Sequence, residues 1–208
     1  MSPMAFQGWP IEGVEFYEGL EADNSKVYWQ DNKAVYDRRV KAPMEELLAE
    51  LADEFGAGKI FRPYRDVRFS ADKTPYKTNC AATIGSGYVS FSAEGLSVGG
   101  GLYMPDPKTL ARYREAVDKE KSGAELAAIV AALHKAGYET MAHEVLKTAP
   151  KGYPKDHPRI ELLRYKGIAM MKSWPTAAWL GTRKAKERVV TTLRAGVPLN
   201  DWLARHVG

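Results

Sequence analysis

The sequence predicts an α+β fold, with a helical N-terminal third, a central antiparallel β-meander and C-terminal helices packed on the sheet. Three observations carry that expectation. Residues 10–56 hold apolar stripes at helical spacing. Residues 79–98 alternate with period two between glycine turns. From Asp106 onward, helical stripes return behind capping residues and first-turn prolines.

Pro10 opens the first helix, whose inward residues are Ile11, Val14, Tyr17 and Leu20. Asn24 is expected as the N-cap of a second, from about Ser25 to Val40, carrying Tyr28, Trp29, Val35 and Tyr36. Pro43 starts a third with the stripe Met44, Leu47, Leu48, Leu51 and Phe55, and Gly56 and Gly58 stop it. Lys59–Asp66 reads as a strand, and Ser70–Pro75 as a turn. Three strands follow. The first runs Asn79–Gly85 with Cys80, Ala82 and Ile84 on one side. The second runs Tyr88–Ala93 with Val89 and Phe91 on one side. The third contains Leu96 and Val98. Gly99-Gly100-Gly101 points to a bulge or a close backbone approach.

Asp106-Pro107 caps the next helix, and Ser122 is expected to cap the one after it, ending at Gly137. Residues 138–157 read as irregular, Pro158–Lys166 as a short helix and Ile168–Met171 as a strand. A helix over Thr182–Ala195 is expected to break at Val197-Pro198 before a short terminal helix with Trp202 and Leu203. Neither repeats nor linkers interrupt the 208 residues, so one α+β domain spanning 1–208 is expected.

Composition is that of an ordinary globular chain, 45% hydrophobic and 27% charged. The N-terminus has no basic segment leading into an apolar one, no apolar run approaches membrane length, and Cys80 is the single cysteine. A cytoplasmic, non-membrane protein without disulfides is expected. The net charge of +4 is unevenly spread. Lys59–Thr78, KIFRPYRDVRFSADKTPYKT, carries six cations against Asp66 and Asp72, with Phe61, Tyr64, Phe69 and Tyr76 interleaved. Residues 147–166 carry six more against Asp156 and Glu161. Each block is +4, so the rest of the chain is net acidic. If the blocks meet in space, they form one positive cleft.

Arginine forks match phosphate and carboxylate oxygens two at a time, so Arg62, Arg65 and Arg68 are candidate anion ligands. On a strand, Arg62, Asp66 and Arg68 would share a face opposite Arg65, with Asp66 as a buried acid pairing with either guanidinium. The competing reading is a structural Arg–Asp network that pins the loop. Lys73 and Lys77 extend the cationic set. Tyr76 and Tyr153 could stack or donate hydroxyls, or simply fill the core. In the second block, Lys151 and Arg164 are candidate ligands. Asp156-His157 is a candidate acid/base pair at a helix mouth, against the plainer reading of a cap and a surface histidine. Asp66 and His157 are thus the proton-handling candidates.

Several motifs are missing. There is no GxGxxG, GxxxxGK[ST] or GxSxG, and the histidines have no metal-ligand spacing. No metal is expected, and no cofactor is indicated.

FRPYRDVRFSADKTPYKTN resembles the signature FRxxRDxRFxxDKTPYKT of domain of unknown function 2461. The second block is similar to that family's PPKGYxxDHPxxxLLRxK through Ala149–Tyr153, Asp156-His157-Pro158 and Leu162–Lys166. The Asn24–Tyr36 segment is similar to its NNxxWFxxxKxxY, with Asn24-Ser25 for the family's Asn-Asn and Tyr28-Trp29 for its Trp-Phe. The resemblance implies that both basic blocks are family features. It supplies no reaction, so whether the protein is an enzyme stays open. The leading expectation is one cationic pocket, built from both blocks, for a small phosphate- or carboxylate-bearing ligand. The alternative is a nucleic-acid-associated or protein-interaction module using the same cations on an open surface.

Overall fold

The computed structural model describes residues 5–68 and 71–208. The chain forms α1 (Ile11–Ala22), α2 (Lys26–Val35), a π-turn (Tyr36–Lys41), α3 (Ala42–Phe55), β1 (Gly58–Ile60), β2 (Asn79–Ile84), β3 (Gly87–Ser92) and β4 (Gly95–Leu102). It continues through α4 (Pro107–Asp118), α5 (Glu120–Lys135), β5 (Glu139–Met141), α6 (Ile160–Arg164), β6 (Ile168–Pro175), a 3₁₀ turn (Ala178–Gly181) and α7 (Lys184–His206). The sheet has six strands in the order β1-β2-β3-β4-β6-β5, and the pairs β1–β2, β2–β3 and β5–β6 are antiparallel. The α+β class and the antiparallel meander are as the sequence predicts. Two compact units divide the chain: 1–98 with 173–191, and 99–172 with 192–208.

In the first unit, one face of the meander is core. Cys80, Ala82, Ile84, Val89 and Phe91 are all buried. Trp9 stacks flat on Phe91 with ring centroids 5.1 Å apart, and Tyr17 meets the same ring edge-on. The stripe Val14, Tyr17 and Leu20 is buried as expected, but Ile11 points to solvent. Ser25, rather than Asn24, caps α2: its hydroxyl accepts from the Tyr28 N–H at 3.1 Å.

The second and third helices do not separate at Pro43. The π-turn joins them, with the Ala42 N–H reaching back five residues to the Asp37 carbonyl. Pro43 falls in the first turn of α3, where its missing N–H costs little. The wider turn keeps Tyr36, Val40, Met44, Leu47 and Leu51 all inward. Burial of that stripe outweighs the poorer geometry of a π-turn.

In the second unit, Tyr113, Val117, Leu126, Leu133, Leu163, Ile168, Leu199 and Trp202 make the core. Ser122 lies inside α5 instead of capping it, and its buried hydroxyl donates to the Ala116 carbonyl at 2.6 Å. The segment 138–157 contributes the short strand β5, and β6 runs on to Pro175. Gly99 permits a close approach, since a Cβ there would lie 2.2 Å from the Met170 carbonyl oxygen. The helix does not break at Pro198: α7 is continuous through it. An interior proline costs about 3 kcal/mol. Burial of Leu193 before it, and of Leu199 and Trp202 after it, holds the helix together. Trp202 also donates its indole N–H to the Ser122 carbonyl at 2.9 Å.

Candidate anion-binding site

The two basic blocks fall in different units, 59–78 in the first and 147–166 in the second. The strand expected over Lys59–Asp66 stops at Ile60, with one further ladder bond from the Phe61 N–H to the Ala81 carbonyl at 2.8 Å. Pro63 has no N–H to offer a ladder, which accounts for the stop. The chain then doubles back on itself. Arg65 N–H donates to the Pro75 carbonyl at 2.9 Å, Lys77 N–H to the Pro63 carbonyl at 2.8 Å, and Tyr64 pairs with Tyr76.

Asn24 anchors this doubled segment from 52 residues away. Its amide donates to the Tyr76 carbonyl at 3.1 Å and its side-chain oxygen accepts the Tyr76 N–H at 3.0 Å. The Tyr76 ring stacks on Trp29 at 4.4 Å and 8° and is 5% exposed. Tyr76 is therefore a packing residue, and burial raises the pKa of its hydroxyl.

Most of the charge in the loop is spent on the loop. Asp72 accepts the Thr74 N–H at 2.9 Å and the Thr74 hydroxyl at 2.8 Å, and it pairs with Arg65. The Thr74 bonds and the Arg65 guanidinium hold its carboxyl down at about 2. Arg68 grips Asp66 with Nε at 2.9 Å and Nη2 at 2.7 Å, and this fork, aided by the Arg68 N–H, lowers the Asp66 pKa. Lys73 donates to the Val67 carbonyl at 2.9 Å. Because residues 62–68 are not a strand, the expected two-faced array of arginines does not form. Asp66 is a solvent-facing carboxylate rather than a buried one, and its hydrogen-bond partner is Arg68. Phe69, and Ser70 at the start of the expected turn, lie outside the described residues, as do Met1–Met4 of the N-terminus.

Three cations of the block are left among the described residues: Lys59, exposed on β1, Arg62 and Lys77. Arg62 makes no hydrogen bond or ion pair among the described residues. Lys77 is half-buried, and its Nζ sits 5.5 Å from the centre of the Phe61 ring with no carboxylate against it among those residues. Burial lowers the Lys77 pKa, and the Arg62 charge lowers it further. Phe61 is 38% exposed and Tyr64 48% exposed beside them. Lys77 therefore stands at an aromatic rim within reach of the Arg62 charge, which also acts on the Asp66 carboxylate.

In the second block, too, three of the six cations are spent. Arg159 reaches into its unit to donate to the Val117 carbonyl at 2.8 Å and the Asp118 carbonyl at 2.9 Å, with Glu120 beside it. Arg164 donates to the Leu146 carbonyl at 2.6 Å and to Glu161 at 3.0 Å. Lys166 pairs with Glu144 at 2.7 Å. His157 is tucked in with an 8% exposed side chain. Its Nδ1 accepts the Arg159 N–H at 3.0 Å, and its Nε2 lies 3.2 Å from the Asp118 carboxylate. The carboxylate facing His157 is thus Asp118, not the exposed Asp156. The two are 39 residues apart, at the end of α4 and in an irregular loop, so nothing local announces the pair.

Tyr153 sits near Asp118 and Arg114. Burial raises its pKa, and the Asp118 charge adds to that. Arg114, which sequence reasoning passed over, donates Nε to the Leu163 carbonyl at 3.3 Å and buries an Nη2 without a hydrogen-bond partner among the described residues. Lys147, Lys151 and Lys155 stand exposed on the surface of this unit.

Among the described residues, no group of three or more His, Cys, Asp or Glu could hold a metal ion, and no helix is long and apolar enough to cross a membrane. Burial pushes the Cys80 thiol up to about 11, so it is a packed core group rather than a nucleophile. A groove of about 440 Å³ in the second unit is lined by Ala128, Ile129, Ala132, Leu133, Tyr138 and Pro198, with none of the candidate cations in its lining.

No curated protein and no solved structure matches the chain. A family model described as a conserved hypothetical protein (DUF2461) matches residues 12–202. That span includes the Asn24 anchor, the self-braced loop with Arg62 and Lys77, and the Asp118–His157 contact, and the chain belongs to the DUF2461 family.

Proposed function

We propose that this protein binds a small anionic ligand, carrying a phosphate or carboxylate, through Arg62 and Lys77 at the Phe61 rim of its first unit. The observation that supports this is the charge left over once the loop has braced itself. Arg65, Arg68 and Lys73 are spent on Asp72, Asp66 and a backbone carbonyl. Lys77 is half-buried beside a like charge, an arrangement that raises the energy of its ammonium. An anion seated between Lys77 and Arg62 removes both the repulsion and the missing partner. Arg65, Arg68, Lys73, Asp66 and Tyr76 serve this site indirectly, by fixing the loop that presents it. Lys151, Tyr153, Arg164 and His157 belong to the second unit and are not needed for this reading.

Isothermal titration calorimetry with inorganic phosphate tests it. Wild type should release or absorb heat on saturable binding, and Lys77→Met should weaken it strongly. Saturable binding that survives Lys77→Met and Arg62→Gln unchanged would refute the assignment. The exposed rings of Phe61 and Tyr64 beside these cations also suit a single-stranded nucleic acid. On that second reading, affinity for mixed oligonucleotides exceeds that for phosphate and falls steeply with salt.

A further inference from the structure

The registers of β1, β2 and β3 define what lies on the face of the meander opposite the core. Lys59 pairs with Thr83, and Thr83 with Tyr88. One step along, the Phe61 N–H bonds to the Ala81 carbonyl, and Ala81 pairs with Ser90. The next row is Asn79 with Ser92. Side chains alternate faces along a strand, so these residues share one face while Ala82, Ile84, Val89 and Phe91 fill the core on the other.

The middle row has a distinct profile. Ala81 and Ser90 are small and only 6% and 8% exposed, so they form a floor. Phe61 stands at its β1 end as an exposed ring. Lys77, two residues before Asn79 on the same side of the chain, hangs its ammonium 5.5 Å from that ring. Phe61 thus links the floor to the Lys77 ammonium.

The polar groups on the floor are half used. Asn79 Nδ2 donates to Ser90 Oγ at 2.8 Å. A hydroxyl that accepts one hydrogen bond still has its own O–H to donate, and a carboxamide that donates still has its oxygen to accept. Neither the Ser90 O–H nor Asn79 Oδ1 is spent on another group among the described residues. One free donor and one free acceptor thus lie side by side on a nearly buried floor. Vicinal hydroxyls of a sugar offer that complement, since each hydroxyl both donates and accepts. The C–H face of a sugar ring also packs on an aromatic ring such as Phe61.

We infer that the ligand of this site is a sugar phosphate. Its phosphate sits at Lys77 and Arg62, and its ring lies over Phe61 and Ala81 with two hydroxyls on Ser90 and Asn79. This rests on the anion reading above and narrows it to one ligand class.

The test is calorimetry with glucose 6-phosphate, ribose 5-phosphate, methyl phosphate and inorganic phosphate on wild type, Ser90→Ala, Phe61→Leu and Lys77→Met. One of the two sugar phosphates should bind about tenfold or more tightly than methyl phosphate, the gain expected of two net hydrogen bonds. Ser90→Ala removes one of the two bonds and should cut that ratio to about threefold while leaving the phosphate affinity in place, and Lys77→Met should weaken every phosphate. Phe61→Leu should shrink the ratio as well, and it serves as the second variant should Ser90→Ala not fold. Equal affinity of wild type for sugar phosphates and methyl phosphate, with Lys77→Met weakening both, overturns the sugar assignment and leaves the anion site standing. A sugar preference that survives both Ser90→Ala and Phe61→Leu undiminished overturns it too. Absence of binding by every phosphate overturns the anion reading itself.

Discussion

Lys77→Met separates binding from folding at the proposed site, because its two effects have opposite expectations. Methionine has similar length and keeps the apolar stem packed, but it carries no charge. On the stability side, two terms compete. The contact with Phe61 at 5.5 Å is a cation–π interaction contributing about 0.5–1 kcal/mol at a partly exposed site. Against it stand the burial of the ammonium and the nearby Arg62 charge, which together lower the Lys77 pKa. The net change in stability should fall within about 1 kcal/mol of zero. On the binding side, a charge-assisted hydrogen bond is worth about 1.5–3 kcal/mol, so phosphate affinity should drop roughly 10- to 150-fold. Thermal denaturation and calorimetry on the same preparation read both numbers. A variant destabilised by several kcal/mol that binds phosphate as well as wild type would refute the reasoning, because Lys77 would then be a structural group.

The remaining predictions concern the scaffold and its pH dependence. The folded-state pKa of Lys77 is lowered, so its ammonium destabilises the fold at neutral pH. That cost disappears as pH rises through the folded pKa towards the ordinary 10.5, and wild type should gain stability relative to Lys77→Met over that alkaline window in pH-dependent melting. Asp72 has the reverse sign. Its stabilising contribution is full above the ordinary 3.8 and is lost as pH falls through about 2, so Asp72→Asn should remove an acid-dependent step from the stability profile. Asn24→Ala strands the N–H and carbonyl of Tyr76, which should cost about 1–3 kcal/mol and lower Tm by roughly 2–10 °C in a chain of this size. Pro198→Ala restores a helical N–H inside α7 and should raise Tm, by up to about 3 kcal/mol of added stability, without touching phosphate affinity.

The parts of the fold legible in the sequence were those fixed by local pattern. The alternation of Cys80, Ala82 and Ile84 with Val89 and Phe91 marks a sheet face, and burial follows it residue by residue. Asp106-Pro107 caps α4 as its chemistry requires, with the Asp106 carboxylate accepting from Lys108 and Thr109. The misplaced boundaries were those where tertiary packing overrides a local breaker. Pro43 read as the start of a separate helix and Pro198 as a break, yet each sits in a continuous helix held by buried residues on both sides.

The site divides the same way. The basic composition of 59–78 was plain, but which cations are free was not. Pairing of Arg65 with Asp72, and of Arg68 with Asp66, depends on the chain leaving the sheet after Phe61 and folding back. Asn24 looked like a helix cap and proved to be a clamp on Tyr76, a contact with no signature at a separation of 52 residues. Asp118 escaped notice for the same reason, since only the packing of α4 brings it to His157.

The central claim is that an anion occupies the space served by Lys77 and Arg62. The most direct measurement is anomalous diffraction from crystals soaked in selenate, a phosphate-like oxyanion that reports its own position. An anomalous peak within hydrogen-bond reach of Lys77 Nζ and the Arg62 guanidinium, absent from Lys77→Met crystals and displaced by phosphate, is the predicted result. Ordered selenate elsewhere on the protein, with nothing beside Lys77, would contradict it.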